Sequence, residues 1–270
     1  MVQLAGSQGT VTGSGVNLDL IDQNGDVISG PVTSNITQNG EVVANGTYDY
    51  RLTSGKNGDG IYINYGLKEL DLLGQGDSAL ILNAEGHTGN SADLSAKVTG
   101  SGDLAFDSAK GQTVTLSNLD NDYTGITDVR SGNLAMLNDN VLGDTSELKL
   151  TNDTGFDMRG HSQTIGELTA ESGSLTYLNG GHLTLLNGGE SSGILAGEGE
   201  LTVAGGPLNI QGANGGLSAT TTIAQDAAVV LNDTLGLGTG DIITTGVLTL
   251  SNAAGVLYNN CLLYTSVAAD

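Results

Sequence analysis

The stretch NDYTGITDVRSGNLAML, residues 121–137, carries the reading of the whole chain. Leu134 and Met136 stand two apart, glycines sit at Gly125 and Gly132, and polar residues fill the remainder. Side chains that return to one face at every second residue mark a strand. A strand this short, closed on both sides by glycine, has to find partners elsewhere in the chain.

Working outward, the same apolar–x–apolar pair recurs from end to end: Leu18/Leu20, Ile61/Ile63, Leu80/Leu82, Leu104/Phe106, Val114/Leu116, Leu148/Leu150, Phe156/Met158, Leu175/Tyr177, Leu183/Leu185, Leu201/Val203, Leu208/Ile210, Val229/Leu231 and Leu248/Leu250. Each pair is read as one strand with its apolar side inward. Between the pairs lie LNGGH, AGGP and GANGG, which are turn chemistry. Equivalent pairs return after about 20 residues, 114 to 134 to 156 to 175 and 208 to 229 to 248, as repeat architectures do. One such coil has too little apolar surface to offset its own ordering entropy, so stacking has to supply the difference. The spacing therefore predicts a parallel β-helix over 100–259, with about seven or eight coils at ~4.8 Å each. A sandwich of hairpins is the second reading; the regular repeat and the scarcity of tight hairpin dipeptides count against it.

Residues 1–99 form a different, β-rich segment that is expected to run on into the solenoid. VVANGTYDYRLTSGKNGDGIYINYGL (42–67) alternates over two longer strands around SGKNGDG, a hairpin signal, and holds Tyr48, Tyr50, Tyr62 and Tyr65. It is read as a hairpin or aromatic cap. Residues 260–270 leave the pattern, and CLLYTS resembles translated sequencing-adapter read-through.

Composition agrees with an all-β chain. The 270 residues include 43 glycines and no tryptophan. Thr, Ser, Asn and Asp, which compete with helical hydrogen bonding, are abundant. The balance of 30 acidic against 8 basic residues, net −22, leaves no footprint for nucleic acid and disfavours anionic membrane surfaces. After Arg159 there is no Lys or Arg. A single cysteine, Cys261, excludes an internal disulfide framework and a cysteine-based zinc site. No signal peptide and no apolar run of membrane-helix length is visible, and both ends read as cut from something longer.

The quoted stretch, extended to NDYTGITDVRSGNLAMLNDNVLG (121–143), resembles the repeat of bacterial autotransporter passenger domains, the type V secreted surface proteins. That repeat has the shape YTG-x-T-x-V-xx-G-x-L-x-L followed by LG. Tyr123, Thr124, Gly125, Thr127, Val129, Gly132, Leu134 and Met136 fill it here, with Leu142 and Gly143 closing it. FDMRGHSQTIGELTAESGSL (156–175), with His161 as a turn residue, and SAKVTGSGDLAF (95–106) are similar to neighbouring elements; TYDYRL and GIYINYGL resemble pieces of antigen-43-like and AIDA-like adhesins. The resemblance implies a right-handed parallel β-helix displayed on the Gram-negative cell surface, anchored through an outer-membrane barrel outside this chain. It implies roles in aggregation, biofilm formation or host attachment, and with them virulence. The partners it implies are further copies of the rod, or protein or glycan ligands on host and bacterial surfaces.

Catalytic constellations are weak. Gly76-Asp77-Ser78 is the best nucleophile candidate, but Ala79 follows where serine hydrolases carry an oxyanion glycine. His87, His161 and His182 each follow glycine, without the paired aspartates of polygalacturonase-type β-helices. No HExxH or close His pair suggests a metal. Asp22-Gln23-Asn24-Gly25-Asp26 opens like a calcium loop, yet Val27 stands where glycine is needed, and it is read as a turn. Carboxylates on adjacent coils could still form a glycosidase pair. The expectation is a surface adhesin without enzyme activity, cofactor or metal; a polysaccharide-active β-helix enzyme and a passive stalk for a distal domain are the alternatives.

Overall fold

The computed structural model describes residues 2–6, 8–11, 19–54, 57–85, 91–251 and 262–264. Leu18, His87 and Cys261 lie outside these residues. The protein is an all-β solenoid with an antiparallel hairpin region at its N-terminal end.

Three parallel faces make the solenoid. Among the described residues the first face stacks nine strands, from Leu80–Leu82 to Val247–Leu250. The second stacks six, from Ser91–Leu94 to Ile194–Ala196, and the third six, from Ser162–Ile165 to Leu262–Tyr264. Within these three faces the return varies with turn length, from 18 residues (Leu183 to Leu201) to 24 (Leu80 to Leu104). Val114, Leu134 and Phe156 share one register row, and Leu208, Val229 and Leu248 another, as the repeat predicts.

One pair is inverted. Phe156 is level with Thr176, and Leu175 with Gly155. Thr176 and Leu178 therefore enter the core, while Leu175 and Tyr177 point outward, Tyr177 with 38% of its surface exposed. A one-residue shift in a strand exchanges its faces. Here the turn at Leu178–Gly180, with Asn179 at φ 47° and Gly180 at φ 86°, draws Leu178 rather than Tyr177 inside.

The interior is a column of Leu, Val, Ile, Phe and Met, continuous from Leu70 to Ile242. Where the third face lacks regular strands, side-chain amides replace the backbone ladder. Asn121 Oδ1 accepts from the Val98 N–H at 2.8 Å, and its Nδ2 donates to the Val141 carbonyl at 2.7 Å. Gln163 Oε1 accepts from the Leu142 N–H at 2.9 Å. On the second face Asn214 repeats the device, accepting from the Leu195 N–H and donating to the Gly236 carbonyl. Asn121 and Asn214 each tie the coil before their own to the coil after it.

At the N-terminal end, Glu41–Thr53 and Gly60–Leu72 form a long hairpin, flanked by Val32–Gln38 and Val2–Gly6. The ring centroids of Tyr48, Tyr50 and Tyr65 follow one another at 6.4 and 6.1 Å. Glu69–Leu72 then pairs in parallel with Lys97–Gly100, so the hairpin merges into the solenoid's third side. At the other end, Leu262–Tyr264 pairs in register with Ile242–Thr244.

Replacing Asn121 or Asn214 by Leu strands a buried N–H and a buried carbonyl, and should cost about 2–4 kcal/mol; urea denaturation measures it. At Gly125 an added Cβ stands 2.0 Å from the Gly102 carbonyl, whereas at Gly212 it meets nothing within 4 Å. Gly125→Ala should accordingly lower the urea midpoint, and Gly212→Ala should leave it in place.

Candidate functional site

The repeat residues come together, and what they build is a corner rather than a reactive site. Tyr123 is wholly buried, with its hydroxyl 2.6 Å from Thr127 Oγ1. Thr127 lies 2.9 Å from Thr145 Oγ1, which donates to the Gly125 carbonyl at 2.7 Å. Gly132 and Gly143 take φ of 74° and 55°, the left-handed region that glycine enters without strain. Val129, Leu134 and Met136 are core. His161 closes a turn outside, its Nδ1 3.3 Å from Asp139 Oδ1, which also accepts the Ser162 N–H at 2.8 Å. That N–H first, and the imidazole second, hold the Asp139 carboxyl below the usual carboxylate range.

Ser78 sits in a single 3₁₀ turn, Gly76–Ser78, and its hydroxyl hydrogen-bonds Glu41 from the hairpin. The turn is braced by Asp103, which accepts the Gly76 N–H, and by Arg130, which donates to the Gly76 carbonyl. In the acidic loop, Asp22 Oδ1 accepts from the Asn24 and Asp26 N–H groups, so that carboxylate caps a turn.

His182 has the most suggestive surroundings. Its Nδ1 is 3.4 Å from Glu200 Oε2 and its Nε2 2.8 Å from Thr202 Oγ1, an acid–base–hydroxyl relay in outline. Acyl transfer also needs N–H donors aimed at the developing oxyanion. The strand His182–Leu185 is paired on both sides, so its N–H groups lie in the sheet plane and are spent on the ladder.

The outer faces offer two further features. On the third face Thr164, Thr184, Thr202 and Thr222 stand in one register row, beside a second row of Ser162, His182, Glu200 and Thr220. On the second face the inverted pair borders a recess of about 210 Å³ lined by residues that include Asn133, Gly155, Asp157, Arg159, Leu175 and Tyr177. Its carboxylate is Asp157, one where a glycosidase requires two. Among the described residues no group of three or more His, Cys, Asp or Glu is placed to hold a metal ion.

Fold and surface together define a β-solenoid rod segment with ordered outer faces. The chain is 54% identical over 242 residues to the uncharacterized protein YuaQ of Escherichia coli K12, covering 90% of this chain and 18% of that protein. It is 44% identical over 259 residues to the uncharacterized lipoprotein YdeK of the same strain, covering 96% of this chain and 19% of that protein. The chain thus spans about a fifth of the length of these curated relatives. No family model and no solved structure matches it.

Tyr123→Phe removes the buried hydroxyl and should cost about 0.5–1.5 kcal/mol at neutral pH. Burial pushes the Tyr123 phenol well above its ordinary 10.0. Its contribution is therefore complete below that value and is lost as the unfolded chain's phenol ionises above it. Urea denaturation at pH 7 and at about pH 11 should show the gap between wild type and variant closing; a constant gap would contradict the buried, protonated phenol.

Proposed function

We propose that this chain is part of an autotransporter-type adhesin passenger, a rigid surface rod that joins cells, or attaches them to other surfaces, through its outer faces. The threonine row of the third face carries the reading. Its β-branched side chains are stiff at χ1, so little rotamer freedom remains to be lost when a partner docks. Strand spacing repeats the row every ~4.8 Å, and weak contacts repeated along a straight rod gain through multivalency. The repeat corner around Tyr123 supports the family resemblance. The name of YdeK, a lipoprotein, is consistent with a place in the cell envelope.

Partners in this reading are further copies of the rod or ligands on host and bacterial surfaces, and the rod acts by binding. With 30 acidic and 8 basic residues, two such rods repel when screening is weak. Self-association should therefore strengthen between about 10 and 150 mM salt in sedimentation. Thr184→Glu combined with Thr202→Glu should abolish it at the higher salt. Stronger association at low salt, or association indifferent to the double variant, would remove the third face from the mechanism. Loss of aggregation in cells lacking this segment separates an adhesive rod from a passive stalk.

A further inference from the structure

We infer that the recess on the second face is a saccharide subsite, taking one neutral hexopyranose ring of a surface polysaccharide. This site is separate from the threonine row and holds whether or not rods associate.

The recess exists because of the inverted pair. Tyr177 and Leu175, turned out of the core, form one wall, and Gly155, level with Leu175 on the preceding coil, is a gap in the row. A partly exposed phenol ring beside a notch is a platform on which the apolar face of a pyranose can lie. Three residues whose side chains can bind hydroxyls line the same space: Asn133, Asp157 and Arg159, the last with its Nε 3.8 Å from Asp157 Oδ2. Asp157 is held in place, its Oδ1 accepting from the Asn179 amide at 2.8 Å and the Arg159 N–H at 3.0 Å.

Arg159 supplies an independent sign. It adopts φ 51° at the turn where the following coil has Asn179 at φ 47°. Asparagine enters that region readily and arginine does not. Strain of this kind, beside a recess and absent from the next coil, is found at ligand sites and agrees with a binding role for this turn.

Size and charge select the ligand. About 210 Å³ falls below the roughly 300–1,000 Å³ of sites that enclose drug-sized ligands, and suits a single ring. Strand addition by a peptide is closed off, because Gly155–Asp157 is already paired on both sides. A chain of net charge −22 repels acidic polymers, which leaves a neutral sugar.

One ring binds weakly, so the test uses polymers: native affinity electrophoresis of the chain through gels containing dextran, mannan, arabinogalactan or polygalacturonate. At least one neutral polymer should retard the wild type. Tyr177→Ala should weaken the retardation at least about tenfold, and Tyr177→Phe should change it by less than about twofold. Gly155→Val places a Cβ 2.5 Å from Asn133 Oδ1, the movable end of a side chain, so the fold should survive while the recess fills and binding is lost. Arg159→Asn should weaken binding yet melt no lower than wild type, which a merely structural arginine would not do. Retardation by none of the neutral polymers, stronger retardation by polygalacturonate, or retardation unchanged in both Tyr177→Ala and Gly155→Val would overturn the assignment.

Discussion

The solenoid depends throughout on burial between coils. No coil has an inside of its own: Leu134 becomes interior because Val114 lies below it and Phe156 above it, in the same register row. The backbone obeys the same constraint, since each strand's N–H and carbonyl groups are satisfied by the preceding and following turns. Where a turn is too irregular to supply them, Asn121, Gln163 and Asn214 reach in with side-chain amides and complete the ladder. These residues are polar by necessity, because an apolar side chain there leaves peptide groups buried without partners.

This constraint divides the sequence into an inner and an outer half with different freedoms. Inward positions must fill a column of fixed cross-section, and corner glycines such as Gly125 must let one coil rest against the last. Outward positions need only tolerate a strand. Threonine rows, carboxylates, histidines and exposed aromatics can be placed there in any combination, in a lattice whose spacing the backbone sets. A rod built this way can vary its outer surface without changing its support.

How much was legible in the sequence follows from the same division. Period-2 alternation and the return at about 20 residues are local signals, and they predicted the stacked strands, the hairpin and the core positions Leu134 and Met136. The motif around Tyr123 and Gly125 carried a resemblance to a repeat; that these residues build a hydrogen-bonded corner comes from the structure alone. Alternation alone does not say which face is inside, however. Leu175 and Tyr177 read as core because they are the apolar members of their strand, and the decision fell to the turn that draws in Leu178. The recess they border was invisible for that reason. Asn121 and Asn214 read as turn filler, since their partners lie about 20 residues away in both directions, beyond any local pattern. The approach of His182 to Glu200 and Thr202 likewise comes only from coil-on-coil register.

The amide ties also set how the rod can come apart. Were the coils joined only to their nearest neighbours, an end could fray one winding at a time. Asn121 grips the Val98 and Val141 peptides together, so peeling away the winding above exposes a donor that the winding below still holds in place. Three windings there share one side chain, and none of them can leave without breaking a bond of its amide.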